Sequence, residues 1–270
     1  MISFQQLGQW GRLGNQLYEY AALLGIGAEL GYEVGIPPPD RHQLADCFTI
    51  SAPVLRRRDL RRITHVHVEP TVGWSDAYRT IRDGTDLRGF FQSPAYFPPE
   101  AVLRNELTFL APIRSAADAA ERRLRARAGD RPLVGMTVRR GDFLLHGEQF
   151  VPLWSTGFYD RALARLRDGL GPGVDPLVIV SSDDPDWCRA TYTGAGFHVI
   201  GPADRIDDVA QLALLARCDH LIIANSSYSW WAAWLNEKAG MTITAARWWG
   251  DDCAYPEATR DPAPDGWLEV

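Results

Sequence analysis

Residues 133–142 read Leu-Val-Gly-Met-Thr-Val-Arg-Arg-Gly-Asp, and this stretch decides the fold class. The short apolar run at its start predicts a buried strand, and a charged loop follows that strand directly. Four more apolar runs lie further along the chain, at residues 176–180, 197–200, 220–224 and 241–244. Segments of helical spacing separate them, which predicts right-handed crossovers and a mostly parallel sheet covered on both faces. We therefore predict one Rossmann-like unit over residues 131–250.

The N-terminal part of the chain begins with the same alternation of strands and helices. The predicted elements are a strand at residues 2–7, a helix at 15–30 and a strand at 32–36. Three consecutive prolines, at 37–39, then end the regular pattern. Only weak segments follow, at residues 63–68, 87–91 and 99–106, and a polar helix at 114–128 is predicted to link the halves. The expected architecture is thus an α/β protein with two domains, residues 1–130 and 131–270.

The composition of the 270-residue chain excludes several classes of protein. Hydrophobic residues make up 46% and charged residues 23%, which is typical of a globular protein and argues against a disordered one. The formal net charge is −6, so we do not expect nucleic acid as a partner. No cysteine lies in a C-x-x-C pair, and we expect reduced, mostly buried thiols at Cys47, Cys188, Cys218 and Cys253. The N-terminus lacks the pattern of a signal peptide and no run of about 18 apolar residues occurs, which predicts a cytoplasmic protein.

Ligands of open parallel sheets bind beyond the carboxyl ends of the strands, and four such loops carry unusual residues. The first, residues 8–16, reads Gly-Gln-Trp-Gly-Arg-Leu-Gly-Asn-Gln and joins a strand to a helix. Glycines let a ligand approach the backbone, and a helix N-terminus offers free N–H groups to an anion. The spacing matches neither a Walker loop nor a dinucleotide fingerprint. A tight turn capped by Asn15 is the alternative.

The second and third loops carry the charged residues. Arg139 and Arg140 end the strand at 133–138, where arginine side chains can clamp phosphate oxygens, although a solvated pair is the alternative. In the third loop, Asp184 is predicted to cap a helix that starts at Pro185. That leaves Asp183 as a hydrogen-bond acceptor for a base or sugar. A rival interpretation is a D-x-D metal motif made of Asp184 and Asp186.

The fourth loop, residues 225–231, reads Asn-Ser-Ser-Tyr-Ser-Trp-Trp and opens a helix. Small hydroxyl residues at a helix N-terminus predict a phosphate cradle. Tryptophans at this spacing stack on sugar or fill a core, and we favour the core for Trp230, Trp231 and Trp234. Elsewhere, the arginine cluster at residues 56–62 could meet an anionic membrane surface, with a solvated face as the simpler interpretation. His65 and His67 lack a third metal ligand and are interpreted as structural.

Together the four loops resemble the motifs of the α-1,2-fucosyltransferase family, glycosyltransferase family 11. Gly11 to Leu17 looks like its G-R-L-G-N-Q motif, and Val138 to Phe143 looks like its H-V-R-R-G-D-Y motif. The segments at 182–184 and 222–236 are similar to its two later motifs, and all four stand in the family's order. The resemblance implies a GT-B-like fold of two Rossmann-like halves, the C-terminal half being the more regular, with the active site in the cleft.

The resemblance also implies an activity. It implies an inverting transfer of L-fucose, without a metal or other cofactor, from GDP-β-L-fucose to the 2-hydroxyl of a terminal galactoside in a bacterial surface glycan. Residues 1–130 would be the acceptor side and residues 131–270 would bind the nucleotide sugar. Bacterial relatives often act on lipid-linked glycans, so peripheral contact with the inner membrane is a further expectation.

The resemblance assigns roles to matching positions. Arg139 would hold the β-phosphate, Ser226 and Ser227 would hold the phosphates, and Asn15 would approach the reacting sugar. The other expected donor contacts are Arg12, Gly14, Arg140, Asp183 and Asn225. For the general base, the nearby candidates are Asp142, His146 and Glu148.

One position departs from the family pattern, and two alternatives stay open. The family usually has a His near the nucleotide where this chain has Thr137, which leaves the donor sugar open. One alternative is a metal-dependent transferase that uses another donor. The other is a catalytically silent protein that binds a glycan or nucleotide sugar. The acceptor glycan and the oligomeric state do not follow from the sequence.

Overall fold

The computed structural model describes residues 1–145, 149–238, 240–251 and 263–270. Two compact units make up this part of the chain: Met1–Leu110, and the described residues from Ala111 onward. Each unit is an α/β structure built on its own parallel sheet, which confirms the predicted fold class. None of the described helices combines the length and apolar character needed to cross a bilayer.

The first unit contains a four-stranded sheet in the order β2-β1-β4-β3. Its strands are β1 (Ile2–Ser3), β2 (Val34–Gly35), β3 (His65–Val68) and β4 (Thr85–Arg88). Its helices are α1 (Leu13–Leu30), α2 (Leu44–Cys47), α3 (Arg57–Leu60) and α4 (Glu100–Glu106). The apolar face of α1 is buried, and Gly25 lets this helix pack closely, because a Cβ there would lie 1.9 Å from the carbonyl oxygen of Tyr96.

The second unit contains a six-stranded sheet in the order β10-β9-β8-β5-β6-β7. Its strands are β5 (Leu133–Val138), β6 (Leu177–Ser182), β7 (Phe197–Val199), β8 (His220–Ile222), β9 (Thr242–Thr244) and β10 (Leu268–Glu269). Its helices are α5 (Ala111–Ala128), α6 (Phe158–Leu170), α7 (Pro185–Thr191), α8 (Asp208–Leu215) and α9 (Ser227–Trp234). All six residues of β5 are buried between β6 and β8, so the predicted Rossmann-like unit is confirmed around its central strand.

The helix predicted to link the halves belongs to the second unit. Helix α5 packs along α8, and Arg125 donates from Nη2 to Asp219 at 2.8 Å, just before β8. A second ion pair joins Asp118 of α5 to Arg217. Because α5 makes these contacts, it groups with the second unit. The first compact unit ends at Leu110, about twenty residues before the predicted domain boundary at residue 130.

The buried thiols follow the prediction where the structure describes them. Cys47, Cys188 and Cys218 are free and buried, and burial raises the pKa of the Cys188 thiol to about 11. Such a thiol stays protonated at neutral pH and is a poor nucleophile. Cys253 lies outside the described residues.

Candidate functional site in two strand-end clusters

The carboxyl ends of β5 and β6 bring a cation and two carboxylates together. The two strands pair in parallel with Val138 opposite Ser182, so Arg139 and Asp183 leave the sheet side by side. Arg139 donates from Nη1 to Asp183 at 2.8 Å and from Nη2 to Asp142 at 2.5 Å. Its guanidinium also lies over the ring of Phe143, 5.5 Å from the centroid. Three partners therefore fix the position of this guanidinium.

Asp183 organises the turn that carries the arginines. Its Oδ1 accepts the backbone N–H of Arg140 at 2.9 Å and that of Gly141 at 3.1 Å, while Oδ2 pairs with Arg139. A side chain at Gly141 would bring its Cβ to 2.8 Å from Oδ2. Both Asp183 oxygens thus contact protein groups, and Asp183 positions Arg139. Its contact with a base or sugar stays a prediction.

Arg140 points away from Arg139. Its Nη1 forms an ion pair with Asp184, and its guanidinium lies 5.0 Å from the centroid of the Trp187 ring. Asp184 also caps α7, because its Oδ1 accepts the N–H of Trp187 at 3.2 Å. The predicted cap at Asp184 is confirmed, and Arg140 pairs with this same carboxylate. Successive residues at a strand end point to opposite sides, which explains why the two arginines diverge.

The contacts of Asp184 and Asp186 do not favour the D-x-D metal motif. Asp184 is engaged in the cap and the ion pair, and the side chain of Asp186 is 94% exposed and 3.4 Å from Arg189. Within the described ranges, no group of three or more His, Cys, Asp or Glu side chains could hold a metal ion.

The N-terminus of α9 presents the predicted hydroxyl groups. Ser226 is the cap, with its Oγ accepting the N–H of Ser229 at 3.2 Å, and Ser227 is the first helical residue. The first N–H groups of a helix lack partners within it, so they remain able to bind an anion. Trp230 and Trp231 are fully buried and pack on one another, which confirms the core interpretation for these two residues.

Two buried side chains behind this helix hold its loop in place. Asn225 is 2% exposed and donates from Nδ2 to the carbonyls of Val151 and Trp248, at 3.0 and 2.7 Å. Thr137 is 3% exposed, and its Oγ1 accepts the N–H of Ala224 at 2.8 Å. Thr137 thus ties β5 to the start of the loop. Both residues therefore hold the loop that precedes α9. The donor contact at Asn225 that the resemblance implies stays a prediction.

In the first unit, the glycine-rich loop leads into α1, which begins at Leu13. Asn15 therefore lies inside the helix, and the alternative in which it caps a turn is wrong. Its Oδ1 accepts a hydrogen bond from Nε2 of Gln92 at 3.0 Å. Gly11 has φ +74, and a Cβ there would lie 2.2 Å from Nδ2 of Asn15, so only glycine fits. Gly14 is buried in the first turn of α1, and the preceding Arg12 is exposed.

Two polar residues were not among the predicted site residues: Asp86 within β4 and Gln92 after it. Gln92 holds Asn15, and Asp86 is a buried carboxylate whose Oδ1 accepts the Ser3 hydroxyl and the Gln5 N–H, both at 2.8 Å. β3 and β4 are short and have little apolar character, so their sequences gave no clear strand pattern from which these residues could be identified. Among the base candidates, Asp142 is paired with Arg139, while His146 and Glu148 lie outside the described residues.

Two α/β units, each on its own parallel sheet, fit a GT-B-like fold, and the fixed arginine at a strand end fits a phosphate-binding site. The sequence profile of glycosyl transferase family 11 matches residues 5–267, and the chain belongs to this family. The resemblance drawn from the four motifs is therefore confirmed.

Curated relatives match most of this chain. The galactoside 2-alpha-L-fucosyltransferase SEC1 of Bos taurus is 31% identical over 87% of this chain and 65% of its own length. The galactoside alpha-(1,2)-fucosyltransferase 2 of Oryctolagus cuniculus is 29% identical over 92% of this chain and 72% of its own length. The galactoside alpha-(1,2)-fucosyltransferase 1 of Aotus nancymaae is 32% identical over 83% of this chain and 63% of its own length. The chain thus spans about two thirds of the length of these relatives.

Solved structures share the fold. The fucosyltransferase NodZ from Bradyrhizobium is similar with a TM-score of 0.52 at 14% identity, over 86% of this chain and 91% of that one. POFUT1, solved in complex with GDP-fucose, is similar with a TM-score of 0.52 at 12% identity, over 89% of this chain and 95% of that one.

Proposed function

We propose that this protein is an inverting galactoside α-1,2-fucosyltransferase, which moves L-fucose from GDP-β-L-fucose to the 2-hydroxyl of a terminal galactoside in a bacterial surface glycan. The observation that carries the proposal is Arg139, which Asp183 and Asp142 hold at the end of β5 within a family 11 motif. The curated relatives are named as fucosyltransferases that act on galactosides, which supports the donor sugar and the acceptor.

In this mechanism the second unit stabilises the departing nucleotide. When the bond between fucose C1 and the β-phosphate oxygen breaks, negative charge grows on that phosphate. The fixed guanidinium of Arg139 balances this charge, together with the N–H groups and hydroxyls of Ser226 and Ser227 at the start of α9. Donors that are already oriented need no reorganisation during the reaction, and one such donor contributes about 3–4 kcal/mol. Arg12, Gly14 and Asn15 of the first unit are assigned to the sugar side of the donor.

We further propose that the transfer needs no metal, and the arrangement of charges supports this. Asp184 and Asp186 are explained by the cap of α7 and by ion pairs with arginines, and Arg139 supplies the positive charge that a metal would provide. Activity is expected to survive excess EDTA. A strict requirement for added manganese would favour a metal-dependent transferase instead.

Peripheral contact with an anionic membrane is a separate proposal for the first unit. Arg56, Arg57, Arg58, Arg61 and Arg62 are all exposed around α3, and Leu60 between them is 45% exposed. Each arginine near an anionic surface contributes about 1 kcal/mol. Reversing the charge of three of them is expected to release the protein from anionic vesicles without loss of activity on soluble acceptors. The absence of vesicle binding at low salt would contradict this proposal.

The experiment that tests the function offers a panel of GDP-sugars with terminal galactosides and reads the product linkage by NMR. We expect GDP-fucose to be the productive donor and the product to carry α-linked fucose on galactose O2. Transfer of a different sugar would show that Thr137 accompanies a changed donor. Binding of GDP-fucose with neither transfer nor hydrolysis would identify a catalytically silent binding protein.

A further inference from the structure

A carboxyl group with an unused oxygen lies beside the loop that holds Asn15. Glu69 follows β3 directly, and its Oε2 accepts the backbone N–H groups of Phe90 and Phe91 at 2.8 and 2.9 Å. Its Oε1 is buried and has no hydrogen-bond partner among the described residues. Buried polar atoms are normally paired, so an unpaired carboxylate oxygen is a place where a proton donor can bind.

The backbone connects this carboxyl group to the predicted sugar site. The residue after Phe91 is Gln92, whose amide donates to Asn15 at 3.0 Å. The same loop begins at Gly89, which has φ +134 and where a Cβ would lie 2.4 Å from Cβ of Glu69. The loop therefore fixes Glu69 and Asn15 together, since one stretch of four residues contacts both.

A second carboxyl group shows how dry this region is. Glu19 of α1 is 1% exposed and its Oε2 has no partner among the described residues. The pKa of Glu19 is raised to about 9, mainly by burial. A hydrogen bond from the Gly8 backbone lowers this pKa, and repulsion from Glu69 raises it. Burial also lowers the pKa of His67, whose Nε2 is another unpaired buried atom. Glu19 and His67 are therefore neutral at pH 7.

Glu69 differs from these neighbours because it can exchange a proton near neutral pH. Burial raises its pKa to about 7, although the N–H groups of Phe91 and Phe90 favour the ionised form. A general base works best when its pKa lies near the working pH. Two nearby carboxyl groups whose pKa values are pushed apart are a usual sign of divided acid–base roles. Asp142 is less suitable as a base because Arg139 holds it in an ion pair.

We propose that Glu69 is the general base that accepts the proton of the acceptor hydroxyl, an assignment that rests on the proposed fucosyl transfer. The galactose 2-hydroxyl oxygen forms the new bond to fucose C1, and its proton passes to Oε1 of Glu69. The bond from C1 to the β-phosphate oxygen breaks, and its electron pair leaves with GDP. Oε1 is buried in the free protein, and catalytic hydrogen bonds often form or tighten only in the complex with substrate.

The test compares Glu69→Gln with wild type in steady-state fucosyl transfer, GDP-fucose binding by calorimetry and thermal melts. Glutamine keeps the shape of the side chain and can still accept the two N–H groups, but it cannot take the proton. We expect kcat to fall at least about a hundredfold while the Kd for GDP-fucose is unchanged. The wild-type rate should rise with pH through an apparent pKa of about 7, and this limb should vanish in the variant. Glu100→Gln on the exposed face of α4 is the matched control, with normal kcat.

The outcomes separate this inference from the proposed function. If wild type transfers fucose and folded Glu69→Gln keeps both its kcat and its acid limb, Glu69 is not the base and the proposed function stands. If wild type transfers no fucose to any galactoside, both proposals fall. Should Glu69→Gln not fold, Glu69→Asp is used, which retains a titrating carboxylate on a shorter chain. For that variant we expect a lower kcat with the acid limb preserved, and normal kcat with a changed KM would contradict the assignment.

Discussion

Asp183 alone fixes much of the geometry around Arg139, the residue proposed to bind the β-phosphate. It accepts three hydrogen bonds, two from the turn at Arg140 and Gly141 and one from Arg139 itself. The sequence predicted that Arg139 and Asp183 both follow strands of one parallel sheet, where ligands bind beyond the carboxyl ends. It could not predict which arginine each aspartate would contact. That choice depends on the register of β5 with β6 and on the close approach at Gly141.

Thr137 gives a prediction about stability at a single residue. Thr137→Val keeps the shape of the side chain but leaves the buried N–H of Ala224 without its acceptor. A buried donor without a partner costs about 1–3 kcal/mol, and we expect urea unfolding at pH 7 to show a loss of that size. Thr191→Val, at the exposed end of α7, is the control and should change stability by less than about 0.5 kcal/mol. Equal stability of the two variants would mean that the Thr137 hydroxyl does not support the loop.

Glu19 gives a prediction about pH. Its pKa rises from an ordinary 4.5 to about 9 on folding, so between these values the folded protein keeps a proton that the unfolded chain has released. Stability from this group is therefore greatest at acid pH and falls as the pH rises through that window, by about 1.4 kcal/mol per unit. Glu19→Gln removes this term. From pH 5 to pH 7, urea unfolding should show the stability of wild type falling relative to the variant by roughly 2–3 kcal/mol. Parallel curves would contradict the protonated state of Glu19.

At the scale of secondary structure, the sequence predicted the two units unequally well. In the second unit, β5 is a fully buried apolar run and β6 is buried except at its last residue. β5 has the predicted bounds, and β6 differs from its prediction by one or two residues at each end. In the first unit β1 covers only Ile2–Ser3, because the N–H of Gln5 bonds to the Asp86 carboxylate and the chain leaves the sheet. Such side-chain acceptors come from distant parts of the sequence and have no local pattern.

Helix ends show the same limit. The sequence of residues 228–238 predicts a helix up to Lys238, but α9 ends at Trp234. Asn236 turns the chain there, since its Nδ2 donates to the Cys218 carbonyl at 2.9 Å and its Oδ1 accepts the Lys238 N–H at 2.7 Å. The start of α7 was predictable because Asp184 and Pro185 form a local cap signal. Local sequence signals therefore predicted the start of α7, whereas tertiary hydrogen bonds of Asn236 determine where α9 ends.

The ion pair between Arg125 of α5 and Asp219 allows a test of whether α5 belongs to the second unit. Burial alone would raise the pKa of Asp219, but hydrogen bonds from Arg125, Lys238 and the Leu133 N–H outweigh it and hold that pKa well below its ordinary value. Arg125→Ala removes the charged donor that ties α5 to the residue before β8. We expect a loss of about 1.5–3 kcal/mol in unfolding at pH 7. Arg122→Ala, exposed on the same helix, is the control, and an equal effect of both variants would show that the ion pair adds nothing.

For the whole molecule, the order of the four motifs along the chain was the strongest predictor of class. Any one of the four loops has a plain structural explanation, and the cap at Asp184 shows that such explanations hold for part of each loop. The family profile covers residues 5–267 and so includes all four. The sequence did not indicate the buried carboxyl groups of Glu19 and Asp86 or the half-buried one of Glu69, because only folding of the first unit places them in its interior.

The most direct test of the account is steady-state fucosyl transfer by Arg139→Ala, Arg139→Lys and Arg140→Ala, with thermal melts to confirm folding. If Arg139 balances the charge that grows on the departing GDP, Arg139→Ala lowers kcat by on the order of a hundredfold or more. Arg139→Lys restores little, because an ammonium cannot form the two-pronged contact of a guanidinium. Arg140→Ala acts mainly on stability through its lost pairing with Asp184. A folded Arg139→Ala variant with near-normal kcat would contradict the role of Arg139 and the mechanism built on it.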